Sequence, residues 1–117
     1  MSTTIQRFGV AKRYSDLVVH NGTAHLVEVA ADETQDFRGQ VTQCLAQIEK
    51  TLSHCGSDKS HLLQVQIFVK HLTDVPVLNE LWEAWLPEGK APSRACLQAN
   101  MVLEEYLVEF IVTAAAN

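Results

Sequence analysis

Cysteine is scarce in this chain, and its three copies, Cys44, Cys55 and Cys96, form neither an even set nor a C-x-x-C spacing. Their number and spacing suggest neither a disulfide framework nor a zinc site, and a reducing compartment suits them best. Basic residues are also few, nine Lys and Arg against fourteen Asp and Glu for a formal charge of −5, and they do not cluster. That balance argues against a broad electrostatic footprint for nucleic acid; any RNA activity would need a basic groove formed by assembly. No basic N-terminal segment leads into an apolar one, and no apolar run approaches the roughly 20 residues that cross a bilayer, so a soluble cytoplasmic protein with no membrane partner is expected. The histidines, His20, His25, His54, His61 and His71, show no metal-ligand spacing, and no metal site is expected. Repeats, low-complexity tracts and linkers are missing too.

What is present suits one compact unit. With 117 residues and 47% hydrophobic content, the chain can bury a single core, so one domain over 1–117 is expected. Asn21-Gly22 separates β-rich runs at 16–20 and 23–29, and the pair predicts a type I′ hairpin because both of its residues tolerate positive φ. An extended piece at 5–10 adds a further strand. From 34 to 54, Phe37, Val41, Leu45, Ile48 and Leu52 recur at helical steps, with Thr34 as cap, Gly56 as terminator and Gly39 weakening the first turns. Leu63, Val65, Ile67 and Val69 share one face of an alternating strand at 63–70. Thr73, Asp74 and Pro76 then open a second helix whose apolar stripe is Leu78, Leu81, Trp82 and Trp85, with both tryptophans assigned to the core, before Pro87 and Gly89 stop it. Strands at 94–99 and 106–114 close the order ββαβαββ, an α+β chain.

The chemistry concentrates in Ala91-Pro92-Ser93-Arg94-Ala95-Cys96 and in Glu109. Pro92 sets an extended approach. Alternation then puts Arg94, Cys96 and Gln98 on one strand face, with Ala95, Leu97 and Ala99 turned toward the core. A turn centred near 101–102 brings Arg94 opposite Glu109 in an antiparallel register. Such a pair reads either as a structural ion pair or as an anion receptor beside a catalytic carboxylate. Cys96 has no histidine placed to activate it, and reads as a packed or pocket-edge thiol rather than a nucleophile. Two helices cover only one side of the sheet, so the other face is expected to meet further copies of the chain and form pockets at the seams. There a guanidinium becomes a two-pronged carboxylate receptor.

The chain resembles the RidA/YjgF family of reactive intermediate deaminases. The resemblance lies in Arg94-Ala95-Cys96, Glu109 fifteen positions after Arg94, Tyr14 before the first hairpin, and Asn79-Glu80-Leu81-Trp82; it spans about 7–115. It implies a chorismate-mutase-like (YjgF-type) mixed sheet with two helices on one face, assembled as a homotrimer with clefts between subunits, and no cofactor. It also implies hydrolysis of 2-imino acids to 2-keto acids and ammonia. Arg94 would hold the substrate carboxylate and Glu109 would direct the attacking water. Backbone groups of Ala95 and Cys96 would meet the imine nitrogen, and Tyr14 and Asn79 would complete the cleft. Where the family pattern has a small hydroxyl residue followed by glycine, this chain has Val27-Glu28. Either the alignment slips by a residue, or Glu28 points outward, or the pocket has changed its preference. If Glu28 faces Arg94, slow hydrolysis of short-chain imino acids follows, together with selection for a ligand bearing a cationic or hydroxyl group. The alternative function is a non-catalytic binder or sensor of small carboxylates on the same scaffold. A third reading, the endoribonuclease label attached to the family, sits poorly with the acidic balance and the lack of interleaved aromatic and basic residues.

Overall fold

Asn21 and Gly22 both adopt positive φ, 49° and 76°, and His20 pairs directly with Thr23, so the expected two-residue hairpin forms. In the computed structural model, which describes residues 4–116, this hairpin joins β2 (Ser15–His20) to β3 (Thr23–Glu28), and β1 (Gln6–Val10) precedes it. The chain continues through α1 (Phe37–Ser53), β4 (Leu62–Val69), α2 (Val75–Trp85), β5 (Ser93–Gln98) and β6 (Val108–Ala115). The strands form one six-stranded sheet in the order β1-β2-β3-β6-β4-β5. Only β4 and β5 run parallel, with α2 as their crossover; this is a mixed α+β sheet of the YjgF type. Among the described residues, no helix is long and apolar enough to cross a membrane.

Alternation along β6 sorts the sheet into two faces. Val108, Phe110, Val112 and Ala114 are buried, whereas Glu109, Ile111 and Thr113 are partly exposed. On the covered side the β6 residues join Val65, Ile67 and Val69 of β4, Val41, Cys44, Leu45, Ile48 and Leu52 of α1, and Leu78 and Trp82 of α2. Trp82 stacks against Phe110 with ring centroids 6.3 Å apart. Trp85 is only partly buried and donates its indole N–H to Glu49 at 2.9 Å, so one of the two tryptophans lies at the core margin.

Three local expectations need correction. Asp36, not Thr34, caps α1: its Oδ1 accepts from the Gly39 N–H at 2.8 Å, while the N–H and hydroxyl of Thr34 go to Asp32. A bulge at Leu63 lies between the pairs Leu62–Ala114 and Gln64–Thr113. It turns Leu62 into the core and leaves Leu63 50% exposed, because one extra residue reverses the faces upstream of it. The third correction concerns β5. Its strand neighbour is β4, not β6, and the register sets Arg94 against Val65 and Cys96 against Ile67.

Gln40, fully buried on α1, ties the loop before β6 to the helix. Its Nε2 lies 2.9 Å from the Glu105 carbonyl and 3.0 Å from that of Gln35, and its Oε1 accepts from the Leu107 N–H at 2.9 Å. An apolar replacement strands these backbone groups in the interior, at about 1–3 kcal/mol for each unsatisfied group. Gln40→Leu is therefore expected to destabilise the chain by about 2 kcal/mol or more, read as a lower denaturant midpoint at constant slope; an unchanged midpoint contradicts the assignment.

Candidate functional site

The residues proposed from sequence fall into two groups. Tyr14, Val27, Glu28 and Glu109 converge, with Ser15, Asp16 and Val29, on a cleft of about 470 Å³ at the ends of β2 and β3 beside β6. Tyr14 stands 67% exposed at its mouth. Asn79, Arg94, Ala95 and Cys96 lie elsewhere, around β5. The Arg94 guanidinium donates to the Asn79 Oδ1 of α2 at 2.9 Å, and Cys96 packs against the core margin.

The expected pairing of Arg94 with Glu109 across adjacent strands does not occur. β4 lies between them, with Val65 beside Arg94 and Phe68 beside Glu109. Two strand spacings of about 4.8 Å and a three-residue offset of about 3.3 Å per residue therefore separate their backbones. The faces differ as well. Arg94 shares the face of buried Val65 and reaches toward α2, whereas Glu109 lies between buried Val108 and Phe110 and points to the open face. The presumed core side of β5 is thus inverted, and Leu97 is 46% exposed. The cause is the connection at 99–107. It is pinned to the end of β4 by Ala99 N–H to Val69 O and Lys70 N–H to Leu107 O, both 3.0 Å, so the chain passes β4 and enters the sheet on its far side.

Glu28 does not face Arg94 within the chain either. Its carboxylate accepts from Gln47 Nε2 and Thr51 Oγ1 of α1, each at 2.9 Å. Gln47 also donates to the Val29 carbonyl at 2.8 Å and accepts from the Ala31 N–H at 3.0 Å, fixing the chain that leaves β3. Burial raises the Glu28 pKa above the usual glutamate value; the Gln47 and Thr51 hydrogen bonds counter this, and the charge of Asp16 adds to the rise. The Cys44 thiol, buried beneath the cleft, is pushed up to about 12 by desolvation and by the charges of Glu28 and Glu109. It is held as an inert thiol.

Sequence reasoning missed Asp16, Gln47 and Thr51. Asp16 lies two residues beyond Tyr14, and Gln47 and Thr51 sit four apart on α1, so alternation and helical spacing contained the signal. Asp16 also depends on Gly9, which has φ +62°: a side chain there would run into the Asp16 carboxylate. Glu109 contributes to a second hollow of about 280 Å³, together with Phe68, Ala99, Asn100, Met101, Val102 and Ile111. With Val27, 54% exposed, and Leu97, this leaves the open face markedly apolar.

Residues 4–116 match the family model described as endoribonuclease L-PSP. The chain belongs to this family, the RidA/YjgF family of its sequence resemblance. Among its relatives in the family, the RutC family protein YoaB of Escherichia coli is 37% identical, with 96% of this chain and 98% of that protein covered. A crystal structure of a Neisseria meningitidis member of the YjgF protein family is 35% identical and superposes with a TM-score of 0.94 over 98% of this chain and 97% of that one. A more distant member, the 3-aminoacrylate deaminase RutC of Acinetobacter baylyi, is 28% identical over 68% of this chain and 62% of its own length.

A carboxyl whose folded pKa exceeds its unfolded value favours folding while protonated, and this contribution is lost as pH rises through the folded pKa. Glu28→Gln removes the titration. Its unfolding free energy relative to the unaltered chain should therefore increase as pH rises from below the usual glutamate value to above the raised one, then level off. Parallel pH-dependent denaturation curves for the two proteins would contradict this.

Proposed function

We propose that this chain is a hydrolytic deaminase of 2-imino acids, working in the cytoplasm as a homotrimer whose clefts take Arg94 from one copy and Glu109 from its neighbour. The observation that carries the reading is the placement of Glu109 with Tyr14 in one hollow on the sheet face that no helix covers. Arg94 is too far away in the same chain to share a small substrate with Glu109. An apolar open face offers a surface for association, and cyclic assembly brings the β5 edge of one copy toward the cleft of the next. The named activity of the A. baylyi relative fits, because 3-aminoacrylate is an enamine acid whose imine tautomer loses ammonia on hydrolysis.

The chemistry needs water, a base and a carboxylate clamp. Arg94, steadied by Asn79, holds the substrate carboxylate through paired charge-assisted hydrogen bonds. Backbone groups at Ala95 and Cys96 meet the imine nitrogen. Glu109 takes a proton from water as its oxygen attacks the imine carbon. Glu109 passes that proton to the nitrogen to give the carbinolamine, then takes the hydroxyl proton and relays it to the nitrogen as the C–N bond breaks, so that ammonia leaves and the keto acid remains, with no electron transfer and no cofactor. RNA cleavage is poorly supported, because the cleft offers Asp16, Glu28 and Glu109 and no basic side chain.

Val27 and Glu28 in the cleft, in place of a small hydroxyl residue and glycine, favour a second reading, a carboxylate binder without turnover. Ammonia release from imines freshly generated by an amino acid oxidase separates the two. Turnover is expected. Arg94→Ala should lower kcat/KM by about 100-fold or more through loss of a bidentate charged contact, and Glu109→Gln should lower kcat by about 100-fold with little change in KM. Saturable carboxylate binding without ammonia release would establish the binder instead, and full activity in Arg94→Ala would rule out the site.

A further inference from the structure

Glu109 borders two hollows, and the smaller has no part in the scheme above. Phe68 lies between buried Ile67 and Val69 on β4, and Ile111 between buried Phe110 and Val112 on β6, so alternation turns both to the open face with Glu109. The register sets Phe68 directly opposite Glu109, close enough for the two side chains to meet. Phe68 and Ile111 floor the hollow of about 280 Å³, and Ala99, Met101 and Val102 wall it. That wall is held on both sides. The Ala99 N–H donates to the Val69 carbonyl at 3.0 Å, and beyond the tip the Lys70 Nζ donates to the Glu104 carbonyl at 2.7 Å. The hollow is therefore formed before any ligand arrives. Sites for whole ligands usually enclose about 300–1,000 Å³, so its size suits one substituent. The larger cleft on the other side of Glu109 carries the Asp16 carboxylate, which an apolar group would desolvate at a cost.

We propose that this hollow is the side-chain subsite of the cleft, selecting 2-imino acids with an extended apolar side chain, of the length of norleucine, over the short one made from alanine. This rests on the deaminase reading and names its substrate class. With the carboxylate at Arg94 of one copy and the imine carbon at the water held by Glu109 of the neighbour, the side chain passes onto Phe68 and Ile111. Its removal from water there supplies the preference. A copy packed on the open face must leave Glu109 reachable if that residue is to act, and the hollow opens at the same residue.

The test compares imines made by an amino acid oxidase from alanine and norleucine, with thermal melting and size-exclusion chromatography to show that each variant folds and assembles. Burying a methylene is worth up to about fourfold in affinity, so the unaltered protein should show a kcat/KM for the norleucine imine about tenfold or more above that for the alanine imine. Ala99→Phe, which fills the hollow from its wall, and Ile111→Ser, which makes its floor polar, should each bring this ratio close to one. A ratio at or below one in the unaltered protein, or one that survives both substitutions, overturns the proposal. If the neighbouring copy fills the hollow instead, the ratio starts near one and Ala99→Phe disrupts the assembly, which overturns it as well. If no imine is hydrolysed, the deaminase reading fails separately; in that case, or if neither variant assembles, calorimetry on the unaltered protein with pyruvate and 2-oxohexanoate decides. Tighter binding of the longer acid with a more negative heat-capacity change supports the subsite, and equal binding of the two refutes it.

Discussion

Period-two alternation along β6 governs the molecule. This strand is hydrogen-bonded to β3 on one side and β4 on the other, so each of its side chains is committed either to the layer beneath the helices or to the open face. Val108, Phe110, Val112 and Ala114 supply the centre of the core. The same geometry forces Glu109, between two of them, outward. A one-residue slip would bury that carboxylate and expose Phe110, at a cost in apolar burial and charge desolvation that the fold could not absorb. Gln40 reinforces the register by binding the backbone at Glu105 and Leu107, just ahead of the strand.

From that commitment follows the division of the site. The half with Tyr14, Asp16, Glu28 and Glu109 is built where β2, β3 and β6 meet, and it carries only negative charge. The half with Arg94 and Asn79 is built where the edge strand β5 meets α2. Neither is equipped alone: the first lacks a receptor for a substrate carboxylate, the second lacks a base. The functional proposal joins them through a second copy of the chain, with the apolar open face as the means of association.

Much of this was legible in the sequence, and the failures have identifiable causes. Asn21-Gly22 announced its hairpin because few residues tolerate positive φ at consecutive positions. The stripe from Phe37 to Leu52 announced α1, and the family pattern identified the fold. The cap of α1 was misassigned because Asp32, Thr34 and Asp36 all offer capping chemistry, and only the tertiary path of the chain decides among them. Leu63 was misplaced because a bulge is invisible to a strict alternation count. The error with the largest consequence was to pair Arg94 with Glu109. Alternation shows which residues share a face within a strand, but it does not reveal strand order, and β4 entered between two strands that are consecutive in sequence. Tyr14, Val27, Glu28 and Glu109 line one hollow because their positions depend on the hairpin and β6, where the register is well specified.

The joining of two half-sites from different copies is the central claim, and complementation tests it most directly. Arg94→Ala and Glu109→Gln, each nearly inactive alone, are mixed at equal concentration, unfolded and refolded together, and assayed for ammonia release from an imino acid. If each cleft takes Arg94 from one copy and Glu109 from another, roughly a quarter of the clefts in the random hybrids regain both groups, and activity should recover to about that fraction of the unaltered protein. If both groups act within one chain, every cleft keeps a lesion, and a mixture no more active than its components would contradict the account.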